Sequence, residues 1–259
     1  KFISTLPAVV IGLAPDATPD KTVALGRRGE VFRANGVTKE VTNERIDLRG
    51  PTYLSGLLWD GVRHLAFGGS HQVYSGAKGE WTPIDEGIFR EFVVGQLHMI
   101  YDAAVLPRDH TEPPTLMVGG RSGFAARLRG ESWAILDPQT NVDFHTVLPL
   151  EDGRVLFAGV SGAAMTLDGD DRWQDHTEDL AIERTVWGGA VYRERIYLGL
   201  GQELVTLEVR KDGALEVVDR REMEVNTLCA NDFLWCTGDE LVERFDGTDW
   251  TVFECPANS

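Results

Sequence analysis

The residues of this chain with the means to do chemistry are its histidines, its cysteines and a run of aspartates, and their spacing bears on what they could do. His64, His71, His98, His110, His145 and His176 include no His-x-x-x-His pair and have no Cys-x-x-Cys partner, the short spacings from which zinc ligands converge. Asp168-Gly169-Asp170-Asp171 with Asp175 gathers the hard oxygens that calcium prefers, but a full calcium loop needs further ligands at fixed positions. A serine nucleophile would stand on a strained elbow of the form Gly-x-Ser-x-Gly, whereas Gly120-Arg121-Ser122-Gly123 and Val160-Ser161-Gly162 read as turns. No glycine-rich segment opens a helix, so a phosphate cradle at a helix N-terminus is not expected. The reading is therefore one without metal, cofactor or catalytic set, in which function rests on surfaces.

Those surfaces must be held by a scaffold, and the scaffold is legible in a repeat. A glycine closing a short apolar run recurs at Gly26, Gly68, Gly119, Gly159, Gly199 and Gly238, the first four intervals being 42, 51, 40 and 40 residues. A period near 40 residues with four short strands per unit is the signature of a β-propeller. The sequence thus predicts an all-β, six-bladed β-propeller in one domain spanning 1–259, with four antiparallel strands per blade. The blades fall at about 7–43, 52–86, 91–138, 142–177, 183–219 and 223–255. In the third blade the first strand is expected over Val93 to Tyr101. Turns between third and fourth strands are expected at Asn35-Gly36, Gly130, Asp168-Gly169, Asp212-Gly213 and Asp246-Gly247, where glycine supplies a positive φ. Trp81, Trp133, Trp173 and Trp250 follow such turns, and a regular column of this kind packs between blades. The one conspicuous insertion, Leu106 to Pro114, is expected to project as a semi-rigid loop. Phe2 to Leu6 is expected to join the last blade and close the fold.

In a propeller the turns between second and third strands share one face with the connections between blades. That register collects Arg28, Tyr53, His71, Phe89, Arg90, Arg121, Phe144 and Arg184 around the channel mouth. Guanidinium groups mixed with aromatic rings are the composition of protein-binding anchors. The net charge of -16 disfavours nucleic acid and anionic membranes and would steer a basic protein partner inward. Cys229, Cys236 and Cys255, odd in number, read as reduced thiols and point to a cytoplasmic setting, although Cys229 and Cys236 could instead bridge across a hairpin.

Thr166, Asp168 and Trp173 match the pattern Ser/Thr-x-Asp-x-Gly-x-Thr-Trp, with Asp170 and Arg172 in place of its Gly and Thr. In this stretch the chain resembles the photosystem-assembly-factor (Ycf48-like) and Asp-box (BNR) propellers. The resemblance implies the fold, a turn-stabilising role for Asp168, and a group in which many members only bind. Sialidases share the Asp box, but no framework here assigns Arg27, Arg28, Arg90, Arg121 or Arg184 to their arginine triad. The favoured function is a non-enzymatic binder, in its sharpest form an acidic inhibitor or immunity protein that neutralises a basic, nuclease-type toxin. The alternatives are a small-molecule or glycan-directed hydrolase or lyase working at the channel mouth, and an assembly-factor scaffold.

Overall fold

The computed structural model describes residues 7–18, 20–77, 79–106, 115–239 and 241–254. Phe2 to Leu6, the segment Pro107 to Pro114 and Cys255 lie outside the described residues. The chain divides into two compact units, residues 1–137 and 138–259, each holding three four-stranded antiparallel sheets. The N-terminal unit contains β1 (Val10–Pro15), β2 (Lys21–Gly26), β3 (Glu30–Asn35) and β4 (Val41–Arg45); β5 (Leu54–Trp59), β6 (His64–Gly68), β7 (Val73–Ala77) and β8 (Glu80–Pro83); and β9 (Ile100–Val105), β10 (Leu116–Gly120), β11 (Ala125–Arg129) and β12 (Ser132–Leu136). The C-terminal unit contains β13 (Phe144–Pro149), β14 (Val155–Gly159), β15 (Ala164–Leu167) and β16 (Trp173–Asp175), followed by the one-turn helix α1 (Thr177–Leu180). Its remaining strands are β17 (Gly188–Tyr192), β18 (Arg195–Gly199), β19 (Gly201–Val209) and β20 (Leu215–Val225), then β21 (Thr227–Ala230), β22 (Leu234–Thr237), β23 (Leu241–Phe245) and β24 (Trp250–Glu254). In every sheet each strand pairs with its sequence neighbour, so each blade is a simple meander and the fold is a six-bladed, all-β propeller.

The second strands are the most apolar because both their faces are covered. His64–Gly68, Leu116–Gly120 and Val155–Gly159 are buried throughout, so they read as continuous hydrophobic runs instead of alternating ones. Their cores lie between successive blades: Val23, Leu25, Val31, Leu54, Ala66 and Tyr74 between the first two, and Phe67, Val73, Ile100, Val118 and Leu128 between the second and third. Three of the four tryptophans in the column, Trp81, Trp133 and Trp250, pack between blades, whereas Trp173 lies against Phe144 and Phe157 of its own blade. Trp81 joins the first of these cores and donates from Nε1 to Glu44 Oε2 at 3.2 Å. Trp133 joins the second and donates to the Ile84 carbonyl at 2.6 Å. Trp250 stacks on Phe245 at 4.8 Å and carries the Arg221 guanidinium of the preceding blade over its ring at 4.5 Å.

Several expectations need correcting. The first strand of the third blade is Ile100–Val105, not Val93–Tyr101; Val93 and Gln96 instead close a tight turn of their own. The turn glycines also divide: Gly130, Gly213 and Gly247 have positive φ, but Gly36 and Gly169 do not. At those two sites the positive φ falls instead on Lys39 and Asp171, and the residue before glycine ties the turn with its side chain. Asn35 Oδ1 accepts from Val37 and Thr38 N–H at 2.8 and 3.0 Å, and Asp168 Oδ1 accepts from Asp170 and Arg172 N–H at 2.9 Å each. Cys229 pairs with Trp235 across the hairpin while Cys236 pairs with Leu228, which puts the two sulfurs on opposite faces of the sheet; both are free thiols.

Candidate functional site

Within each unit the turns between second and third strands meet the connections between blades, and the joints are made by backbone. Leu54 N–H donates to the Arg27 carbonyl at 2.9 Å, Gly69 to Tyr53 at 2.8 Å, Ser70 to His98 at 2.7 Å, Arg90 to Ser70 at 2.9 Å and Arg121 to Met99 at 2.9 Å. The C-terminal unit repeats the device: Val160 donates to Asp143 at 3.0 Å, Val186 to Gly159 at 2.9 Å and Trp187 to Gly199 at 2.9 Å. This close approach explains the glycines at the strand ends. A Cβ on Gly120 would stand 2.0 Å from the Met99 carbonyl oxygen, and one on Gly159 1.9 Å from that of Asp143.

In the N-terminal unit these joints carry most of the arginines and aromatic rings singled out above. Arg28 is exposed, and Arg27 beside it lies 4.0 Å over the Tyr53 ring. Arg49 stacks on Phe89 at 3.9 Å and pairs with the buried carboxylate of Asp85. Asp85 also accepts from Val73 N–H at 3.0 Å, and the fully buried Gln72 donates to the carbonyls of Gly69 and Arg49 at 3.1 and 3.2 Å. Asp85 and Gln72 therefore fix the approach of two connections to one turn, leaving the aromatic and cationic groups displayed on a rigid base. Arg90 and Arg121 are exposed and, among the described residues, form no ion pair.

His71 is a correction. It is 4 % exposed, stacked on Phe124 at 3.6 Å and edge-on to His98 at 5.3 Å, so it is core and not a contact residue. Neither ring nitrogen reaches a hydrogen-bond partner in good geometry. Burial, with smaller contributions from His98 and Arg90 against a partial offset from the Ile88 backbone, drives its pKa down to about 3. Its backbone is left-handed, with φ of 53°, at the place in the turn where the next two blades carry Gly123 and Gly162.

The connection from β8 to β9 contains a feature the sequence did not announce. Ile88 and Met99 are fully buried at its root, while Phe92, Val93, Val94 and Leu97 at its tip are 46, 46, 88 and 41 % exposed. It is an apolar turn on an anchored base.

In the C-terminal unit Phe144 is the second correction: it is the first residue of β13, fully buried, and packs on Phe157 at 5.4 Å. Arg184 is exposed and lines a depression of about 430 Å³ with Gln202, Glu203 and Glu222. Beside it stands Trp187, 52 % exposed, the one exposed residue among seven tryptophans. At the opposite end of the blades, an open cleft of about 590 Å³ is lined by Val191, Arg195, Tyr197, Glu208 and Phe245 among others. Among the described residues no group of three or more His, Cys, Asp or Glu could hold a metal ion. Among the described residues no helix is long and apolar enough to cross a membrane.

Charge is divided unequally between the units. Residues 1–137 contain 15 Lys and Arg against 16 Asp and Glu, whereas residues 138–259 contain 10 against 25. The net charge is thus -1 in the first unit and -15 in the second, so nearly all of the chain's net charge of -16 belongs to its C-terminal half.

No family model matches the sequence, and no curated protein matches it. Solved structures do match in shape. The WD40 β-propeller domain of Doa1 aligns with a TM-score of 0.73 at 13 % identity, covering 98 % of this chain and 84 % of that one. Virginiamycin B lyase from Staphylococcus aureus aligns at 0.72 and 9 % identity, covering 95 and 84 %. Sqt1 of Saccharomyces cerevisiae aligns at 0.69 and 10 % identity, covering 96 and 74 %. What these likenesses share with the six four-stranded sheets is the β-propeller fold.

Proposed function

We propose that this chain is a protein-binding β-propeller that engages a basic protein partner through the surface of residues 138–259. The observation that carries the reading is the segregation of charge, -15 in that unit against -1 in the other. Acidity spread evenly would keep a protein dispersed; acidity collected on one unit creates a directional field that raises the encounter rate with a positive surface. The apolar turn Phe92 to Leu97, with Arg90 at its base, offers the N-terminal unit a contact of a different kind, an exposed hydrophobic anchor in a polar surround. In its finer form the partner is a basic, nuclease-type toxin met in the cytoplasm and the chain is its neutralising inhibitor. The free thiols of Cys229 and Cys236 suit a reducing compartment.

Capture from native extract followed by a rising salt series tests the reading. Basic proteins should be retained at low salt and released as salt screens the field. Retention of acidic proteins alone, or of nothing at low salt, overturns it. The toxin arm is read separately, as suppression of the captured protein's nuclease activity by added chain.

A second reading rests on the cleft bounded by Tyr197 and Phe245, whose volume of about 590 Å³ suits a small molecule. Its site is not the channel mouth expected above. Screening glycosides and lactones against wild type and Tyr197→Ala addresses it, and turnover that Tyr197→Ala leaves intact would count against that cleft.

A further inference from the structure

We infer that Trp187 is the anchor of the acidic unit, and that it receives a lysine or arginine side chain of the partner on its exposed indole. The inference rests on the basic-partner reading and adds to it a residue and a mode of recognition.

Trp187 departs from its six counterparts. The other tryptophans are at least partly covered, and four of them form the packing column, whereas this one leaves 52 % of its surface in solvent at the start of a blade. Its position is fixed all the same. Val186 before it is fully buried and bonded to Gly159, and its own N–H is bonded to Gly199. His145 packs edge-on at 4.8 Å, and Gly201 lies alongside, so that a Cβ there would stand 3.8 Å from Cδ1 and Nε1 of the indole. A large, preorganised aromatic surface held open to solvent loses little conformational entropy when a ligand covers it.

What surrounds the ring decides the class of ligand. The same Gly201 position approaches Oδ1 of Asn226, whose Nδ2 donates to Asp239 at 3.2 Å, and Asp239 N–H in turn donates to Glu224 at 2.9 Å. On the side of Gln202, the adjoining depression adds Glu222 and also Glu203, which is paired with Arg220 at 3.3 Å, beside Arg184. Burial lowers the pKa of His145, which disfavours a positive charge against the ring. An indole face beside several carboxylates, in the unit of net charge -15, attracts a cation twice over: through the ring quadrupole and through the field. Anionic and neutral ligands gain neither contribution.

Binding of a labelled oligolysine peptide to the intact chain, followed by fluorescence anisotropy at low and moderate salt, tests the assignment. Trp187→Ala should weaken binding by about threefold to thirtyfold, and Trp187→Phe by less, since benzene is the poorer cation acceptor. Because the side chain is exposed, both variants should melt as wild type does. Glu222→Gln with Asp239→Asn should weaken binding and flatten its salt dependence, while Val62→Ser, an exposed and charge-neutral change in the other unit, should change nothing. Wild-type affinity and salt dependence in Trp187→Ala would overturn the anchor and leave the basic-partner reading standing. Failure of the wild type to bind oligolysine would overturn both. Equal loss for an uncharged peptide of the same length would show an unspecific apolar contact and overturn the cation.

Discussion

Acidification should destabilise this protein through His71, well before carboxylates begin to titrate. The folded state holds the imidazole neutral, with a pKa near 3, against an ordinary value of 6.5 in the unfolded chain. A base whose folded pKa is depressed contributes stability that is fully present above the unfolded pKa and lost as pH falls towards the folded one, because only the unfolded chain takes up the proton. The window therefore runs from 6.5 down to about 3. At pH 5 linkage gives a loss of about 2 kcal/mol relative to pH 8, taking 1.36 kcal/mol per decade. For a chain of this size that is a fall in melting temperature of roughly 4–8 °C. His64, His145 and His176 are lowered in the same direction by burial, so the wild type alone does not isolate the effect. The comparison is with His71→Asn, since asparagine tolerates the left-handed backbone that His71 adopts at φ 53° and does not titrate. Losing the stack on Phe124 will lower its stability at every pH; the quantity read is the change between pH 7 and 5 by thermal denaturation. That change should be smaller in His71→Asn by roughly 3–7 °C. Equal pH dependence in the two proteins would refute the reasoning and show the imidazole protonated, or absent from the cooperative transition.

Three further outcomes are expected. Gly76→Ala should cost about 1–3 kcal/mol in denaturant titration, because a Cβ there would lie 2.6 Å from the Trp81 ring that covers it. Asp85→Ala strands the Val73 N–H and the Arg49 guanidinium, so it should cost about 2–3 kcal/mol and raise hydrogen exchange across residues 84–99, with Asp85→Asn milder on both counts. In Cys255→Ser protein, Cys229 should be the only thiol modified under native conditions, since burial pushes the Cys236 thiol up to about 12. Prompt labelling of Cys236 without unfolding would contradict that.

Where the sequence could be read, the reason was backbone geometry. Second strands end at a glycine where the neighbouring chain leaves no room for a Cβ, which would stand 2.0 and 1.9 Å from a carbonyl oxygen at Gly120 and Gly159 and 2.6 Å from the Leu54 backbone at Gly68, and so the glycine recurs visibly. Misreadings occurred where solvent exposure, invisible in a pattern, decides the outcome. Phe92-Val93-Val94 has strand composition but sits at the tip of a turn, and the charged run Asp219 to Glu222 looks like a loop yet continues β20, an edge strand free to carry polar side chains. Loop register puts His71 and Phe144 on the rim, and burial removes them; Trp187 is exposed at the start of its blade and carries no signal in the sequence beyond its type. The unequal charge of the halves is present in the sequence, but only the division at residue 137 makes it a property of one unit.

The joints between turns and connections are made by main-chain groups, as from Leu54 to Arg27, Arg121 to Met99 and Val186 to Gly159. An amide proton is indifferent to the side chain attached beside it, so these joints constrain where the loops run without prescribing what they display. Proline is the one residue barred from a donor position. Such a scaffold can exchange the residues at its recognition surface over evolutionary time, or in a combinatorial library, without renegotiating its own stability. Low identity to other propellers with near-complete structural overlap is what that freedom leaves behind.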